Sequence, residues 1–153
     1  MKIKVQQKSD FHFIGTGEDF TGELPIDAAA HVGGKGRGFR PPGLMMYSVA
    51  ACMGIHAYEA LVHAGKQVDD VVVTTDGERN PGYPKVYTHI VLSFSMKGKD
   101  LTDEDVRDAI NDALTRTCSI AVMVNKASPI TCEYEVEIEG GAPLKGSFTS
   151  EAA

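Results

Sequence analysis

The chain has 153 residues, a formal net charge of −6 and a hydrophobic fraction of 42%. This size and composition fit one packed domain, and we expect a single domain over residues 1–153. The negative charge argues against nucleic-acid binding, which needs clustered Lys and Arg, and the sequence has no 18-residue uninterrupted apolar run of the kind that spans a membrane.

Three short strands are predicted at the start of the chain. The stretches "KIKVQQK", "FHFIG" and "FTGELPID" each alternate apolar and polar side chains to some degree. Turns that contain Gly and Asp separate them, which is typical of short antiparallel strands.

A long apolar helix is predicted over residues 42–64. The pair Pro41-Pro42 marks its start, since proline is tolerated in the first turn of a helix. It ends before Gly65, the expected C-terminal cap. The helix is apolar on nearly every side, so it belongs inside a core or at a subunit interface. A chain this small can hardly cover such a helix, which favours an obligate dimer.

The second half predicts two strands, a helix and a last strand. The strands are "VDDVVVTTDGERN" and "KVYTHIVLSFSMKG", joined by a turn. The helix begins at "DLTDEDV", where Thr102 and Asp105 resemble a capping box, and it ends at "NKASP". The last strand, "ITCEYEVEIEG", has Glu on one face and apolar residues on the other. The tail from residue 140 has no clear pattern. The order βββ-α-ββ-α-β predicts an α+β fold with antiparallel sheet.

Cys52 and Cys118 lie on the apolar stripes of the two predicted helices. Free cysteine is a common small core residue, so inert packing is the simplest interpretation. If the two thiols meet, they form a redox pair. The polar "RTCS" also interrupts the second stripe, and a kink there would place Cys118 at a new helix N-terminus, which stabilises a thiolate. Cys132, on an ordinary strand, is interpreted as core.

Other chemistry has weaker signals. Three cysteines without a CxxC spacing favour a reducing, cytoplasmic compartment, in which a disulfide is transient and functional. Cys52 and His56 have the spacing of metal ligands on one helix, but no further ligand follows a recognisable pattern, so we expect no metal. We also expect no cofactor. A nucleophile-elbow hydrolase is excluded because GxSxG is absent.

Three blocks resemble the OsmC/Ohr family of small dimeric thiol peroxidases, over about residues 10–140. They are "GFRPPGLMMYSVAACM", "DGERNPGYPKVYTHIVLSFSMKGKDLTDEDV" and "ALTRTCSIAVMV". The resemblance implies an intertwined homodimer with antiparallel sheets wrapped around two central helices. It implies that Cys52 attacks the peroxide and that Cys118 resolves the product to a disulfide. It further implies organic hydroperoxides as substrates and a dithiol such as a lipoyl group as the reductant.

The sequence also departs from this family. The best-studied members carry a Glu after the helix-starting Pro and an Arg in the early strands, and this pair activates the thiol. Here the helix starts Pro41-Pro42-Gly43, so Arg37 and Arg40 are the candidates for the supporting charge. Met45, Tyr47 and Met53 are the candidates for an apolar substrate pocket. The alternative function is a weakly active or inactive binding protein that holds an apolar or thiol ligand at the dimer interface.

Overall fold

The computed structural model describes residues 1–149, and it divides the chain into two compact units, Met1–Tyr47 and Ser48–Ala153. Each unit has a sheet of its own. The expected single domain over residues 1–153 stays a prediction.

The first unit is built on a three-stranded antiparallel sheet. Its strands are β1 (Ile3–Ser9), β2 (His12–Gly17) and β3 (Phe20–Asp27). They pair in chain order, as expected for three short strands joined by tight turns. The three strands predicted from the sequence are therefore confirmed. A short 3-10 turn, Ala30–Val32, follows in the Gly-rich loop.

The long helix α1 spans Pro41–His63, within one residue of the prediction at each end. It ends in the expected glycine cap: Gly65 has φ +76°, and the next residue, Lys66, donates its N–H to the carbonyl of Leu61 at 3.0 Å. A side chain at Gly65 would be strained in this left-handed conformation, so the glycine is what allows the chain to turn into the next strand.

One face of α1 is buried. Met46, Val49, Met53, Ala57 and Leu61 follow one another at helical spacing and are at most 8% exposed. The opposite face stays exposed within the single chain, although it carries apolar side chains such as Ile55. By length and composition alone α1 could also cross a membrane, but core helices of soluble proteins pass the same test.

The second unit contains a four-stranded sheet in the order β4-β5-β6-β7. Its strands are β4 (Gln67–Arg79), β5 (Tyr87–Lys99), β6 (Ile130–Ile138) and β7 (Leu144–Thr149). The α+β class with two sheets and helices is confirmed. The expectation of purely antiparallel sheet is wrong for one pair, because β5 and β6 run parallel. The helical segments between these two strands supply the crossover that a parallel pair needs.

The core face of this sheet follows the predicted alternation. Ile90, Leu92, Phe94 and Met96 on β5 are at most 2% exposed. The neighbouring strand β6 buries Ile130, Cys132, Tyr134 and Val136 and turns its glutamates outward. Apolar side chains on alternate residues of adjacent strands therefore form one continuous interior surface.

Two helices replace the single second helix that the sequence predicts. The first, α2 (Asp103–Asp112), begins with the predicted capping box between Thr102 and Asp105. A π-helical segment, Ala113–Thr117, follows, and α3 (Ser119–Asn125) begins anew after Cys118. The kink considered at "RTCS" is thus a complete break between helices.

The strand β7 lies in the tail that showed no clear sequence pattern. It pairs with β6 in antiparallel register, with Phe148 opposite Cys132. Residues 150–153 of that tail lie outside the described residues.

Candidate redox site

Cys52 and Cys118 are joined as a disulfide between α1 and the start of α3. Their Cα atoms are 5.7 Å apart although the residues are 66 positions apart in the sequence. This separation is within the usual range for a disulfide, so the two backbones are placed for the bond without being displaced. The fold thus brings together the two cysteines that the sequence analysis singled out.

Cys118 is the N-cap residue of α3. Its backbone is extended, with φ −81° and ψ 99°, and its Sγ accepts a hydrogen bond from the N–H of Ala121 at 3.3 Å. The side chain is fully buried. The helix N-terminus expected at "RTCS" is therefore present, and the sulfur of Cys118 caps it. Stabilisation of a thiolate at Cys118 stays a prediction, because the helix terminus favours the charged sulfur whereas burial disfavours it.

The π-helical segment explains why Cys118 has this position. The N–H of Cys118 donates to the carbonyl of Ala113 at 3.0 Å, one residue further back than in an α-helix. Thr115 and Thr117 turn their hydroxyls back onto the carbonyls of Asn111 and Asp112. These bonds satisfy carbonyls at the widened turn and let the chain restart as α3.

Cys52 has a different setting. It is half-buried on α1, beside the fully buried Met53. Small residues, Ala50 and Ala51, precede it, and Gly54 follows. A Cβ on Gly54 would come within 3.0 Å of Val73 on β4, so glycine allows the helix to approach the sheet closely here. Of the two disulfide cysteines, Cys52 is the one that faces partly outward.

Cys132 is not part of the site. It is fully buried on β6, and burial raises the pKa of its thiol to about 12. A thiol that stays protonated at neutral pH is a poor nucleophile. The interpretation of Cys132 as a core residue is confirmed.

Comparison with known proteins identifies the family. Residues 34–133 match the model of the OsmC-like proteins. The chain belongs to the OsmC-like protein family. Its relative YhfA from Escherichia coli strain K12 is 33% identical over 96 residues, which is 63% of this chain and 72% of that protein.

Solved structures agree with the fold of this OsmC-like protein. An OsmC-like protein from Mycoplasma pneumoniae superposes with a TM-score of 0.72 at 15% identity and covers 90% of this chain and 95% of its own. An organic hydroperoxide resistance protein from Legionella pneumophila gives a TM-score of 0.59 at 14% identity, covering 90% and 95%. At these identities the similarity establishes the shared architecture.

The two candidate supporting cations lie in the loop before α1 of this OsmC-like protein. The Nε of Arg37 donates to the buried carboxylate of Asp27 at 3.2 Å, and its Nη1 donates to Ser9 at 3.0 Å. Its charge is therefore compensated by Asp27 within the first unit. Arg40 is exposed. The supporting role of either residue stays a prediction.

Sequence reasoning missed the network around Asp27. This carboxylate accepts the backbone N–H groups of Ala28, Lys35 and Arg37 at 2.9–3.0 Å. These bonds, that from the Arg37 N–H above all, hold the pKa of Asp27 well below its usual range although its burial acts in the opposite direction. The Gly-rich loop is thereby folded around one carboxylate. Only the three-dimensional fold shows this, since no periodic pattern marks Asp27.

The candidate pocket residues have unequal settings. Met53 is fully buried in the core, Met45 is half-buried and Tyr47 is 63% exposed, with its ring edge-on to Phe39 at a centroid distance of 5.4 Å. Their contact with a substrate stays a prediction. Among residues 1–149, no group of three or more His, Cys, Asp or Glu lies close enough together to hold a metal ion.

Proposed function

We propose that this OsmC-like protein is a cysteine-based organic hydroperoxide reductase. The observation that carries the proposal is the pairing of Cys52 with Cys118 across 66 residues of sequence. Family membership and these paired cysteines support a redox role. In the proposed reaction the half-buried Cys52 attacks the peroxide and the buried Cys118 resolves the product.

The chemistry balances with two thiols and one peroxide. The Cys52 thiolate attacks one peroxide oxygen, the O–O bond breaks, and the alcohol leaves after it takes up a proton. The resulting Cys52 sulfenic acid is attacked by the Cys118 thiolate, which forms the disulfide and releases water. The two thiols supply both electrons. A dithiol reductant such as a lipoyl group then restores them by thiol–disulfide exchange.

The proposal includes a homodimer. Within one chain, α1 leaves Tyr47, Ile55, Tyr58 and Val62 exposed, at 42–63%. In the first unit, β1 and β3 likewise expose apolar side chains along a groove of about 340 Å³. Exposed apolar surface of this kind is typical of a subunit interface. A second copy of the chain is the proposed cover, and a cytoplasmic location fits cysteines that must be reduced after each turnover.

A thiol count tests the activity directly. The protein is reduced, freed of reductant and treated with one equivalent of cumene hydroperoxide, and its thiols are counted after unfolding. We expect the loss of two thiols per chain, recovery with dihydrolipoamide, and no disulfide in Cys52→Ser. Cys132→Ser is the matched control, because Cys132 is buried and outside the site.

The two active-site variants separate the proposed roles. Cys118→Ser is expected to complete one turnover and then to accumulate overoxidised Cys52, since no second thiol traps the sulfenic acid. If the folded wild type keeps all of its thiols in the presence of peroxide, the reductase proposal fails. Binding of an apolar or thiol ligand without turnover would then be measured instead.

A further inference from the structure

Three side chains with polar or ionisable groups follow one another along one side of α1. Cys52, His56 and Glu59 are separated by four and then three residues, so they lie on one side of the helix. Cβ atoms at such spacings are about 5–6 Å apart. Helical side chains lean toward the helix N-terminus, so Glu59 leans onto His56 and His56 leans toward Cys52.

The hydrogen bond between His56 and Glu59 fixes the roles of the imidazole nitrogens. Nδ1 of His56 is 3.1 Å from Oε2 of Glu59. An ionised carboxylate only accepts hydrogen bonds, so Nδ1 carries the proton that is donated. In neutral imidazole, Nε2 then has the lone pair. The His56 side chain is 30% exposed, and Cys52, one helical turn before it, is half-buried.

We propose that His56, oriented by Glu59, accepts the proton of the Cys52 thiol. The arrangement is a nucleophile, a base and a carboxylate that orients the base, the same order of roles as in other activated cysteines. His56 supplies an activating group on α1 itself. The start of α1 has no carboxylate for this role, and Arg37, in the loop before the helix, is already paired with Asp27. The peroxide step rests on the proposed function, whereas the proton transfer does not.

The proton balance of the step is simple. The S–H bond of Cys52 breaks, Nε2 of His56 takes the proton, and a thiolate–imidazolium pair forms. When the thiolate attacks a hydroperoxide and the O–O bond breaks, the leaving alkoxide takes a proton from the imidazolium and departs as the alcohol. His56 returns to its neutral form. Glu59 is the positioning residue, because it acts through His56.

Other charged groups near this part of α1 are already paired or lie along a separate groove. Across from Ala60 and Ala64, α2 and the π-helical segment present Glu104, Asp105, Asp108, Asp112 and Arg116. Of these, Asp105 is paired with Lys66 and Asp112 with Arg116, each at 2.6 Å. On the sheet side, Val73 of β4 meets the helix at Gly54 without a charge. Glu59 is the charged group that contacts His56 on its own helix.

The test measures the Cys52 thiolate without any peroxide. In a reduced Cys118→Ser background, thiolate absorbance at 240 nm and the rate of iodoacetamide alkylation are followed from pH 5 to pH 10. Here Cys52 is the titrating thiol, because the buried Cys132 has a pKa raised to about 12. We compare His56→Gln and Glu59→Gln with His63→Gln, an exposed histidine at the end of the same helix.

We expect His56→Gln to move the thiolate titration upward by about one pH unit and to slow alkylation at pH 7 by about tenfold, since one pKa unit is a tenfold change in thiolate. Glu59→Gln should give a smaller shift in the same direction, and His63→Gln none. Far-UV circular dichroism establishes that the variants are folded. If the thiolate titration of the His56→Gln variant superimposes on that of the Cys118→Ser protein from which it was made, the inference is overturned, even if the wild type reduces peroxides. A shifted titration in a protein that reduces no peroxide supports His56 and rejects only the reductase proposal.

Discussion

The N–H of Ala121 donates to the Sγ of Cys118 at 3.3 Å, so one cysteine of the disulfide is also the N-cap of α3. The disulfide therefore ends at a helix terminus. In the reduced protein the sulfur of Cys118 is expected to keep this capping bond. The break after the π-helical segment thus gives Cys118 a structural role besides its place in the disulfide.

The capping bond predicts unequal effects of two substitutions at Cys118. Under reducing conditions, Cys118→Ser keeps an oxygen that accepts from Ala121, whereas Cys118→Ala leaves that N–H unpaired in a buried position. We expect Cys118→Ala to lower the free energy of unfolding by about 1 kcal/mol relative to Cys118→Ser. Urea unfolding followed by circular dichroism measures it, and equal midpoints for the two variants would contradict the capping role.

The disulfide predicts that stability depends on redox state. Closing a loop of 66 residues restricts the unfolded chain and stabilises the oxidised protein by about 4 kcal/mol at most in the chain-entropy account. Urea unfolding of the wild type with and without dithiothreitol measures the difference. Cys52→Ser is the control and should unfold identically in both conditions. If the oxidised and reduced wild type unfold at the same urea concentration, the loop-closure argument is wrong for this protein.

We expect Cys132 to be unreactive toward thiol reagents in the folded protein. Its burial raises its pKa to about 12, which leaves a protonated thiol at neutral pH. Reaction of the native, reduced protein with Ellman's reagent at pH 7.5 should leave the Cys132 thiol unmodified, so that the folded wild type and Cys132→Ser react to the same extent, and unfolding in guanidinium should make the Cys132 thiol reactive. Rapid modification of all three thiols in the folded state would show that β6 opens readily.

Asp27 predicts acid sensitivity of the loop before α1. The pKa of Asp27 is lower in the folded protein than in the unfolded chain, where it is near 3.8. The ionised carboxylate therefore stabilises the folded state above the unfolded pKa, and this stabilisation is lost as the pH falls through the folded-state pKa. Asp27→Asn should lower stability at pH 7 and flatten the loss of stability below pH 4. Thermal unfolding from pH 2 to pH 7 measures both effects.

A matched control for Asp27 is Asp10→Asn. Asp10 pairs with Lys35 at 3.0 Å, but its side chain is 54% exposed, so this ion pair is screened by solvent. The variant should change the melting temperature much less than Asp27→Asn. Equal losses for the two substitutions would mean that the loop does not depend on the buried carboxylate.

The elements with clear periodicity could be predicted from the sequence. Helix α1 was located to within one residue because Pro41 and Gly65 mark its two ends, and β5 and β6 follow from strict alternation of apolar side chains. The strand β7 was not predicted because its alternation covers six residues and has Gly146 at its centre, and it becomes a strand through pairing with the edge of β6. The parallel pairing of β5 with β6 likewise depends on contacts distant in sequence.

Side-chain periodicity, a local property of the chain, was sufficient to pick out Cys52 and Cys118 on the apolar stripes of two predicted helices. The folded structure was needed to show that the two sulfurs are bonded, that Cys118 is the N-cap before α3 and that the Gly-rich loop folds around Asp27. Each of these depends on distances between residues far apart in sequence. Such distances follow from how helices and strands pack, and no local pattern of residue types encodes them.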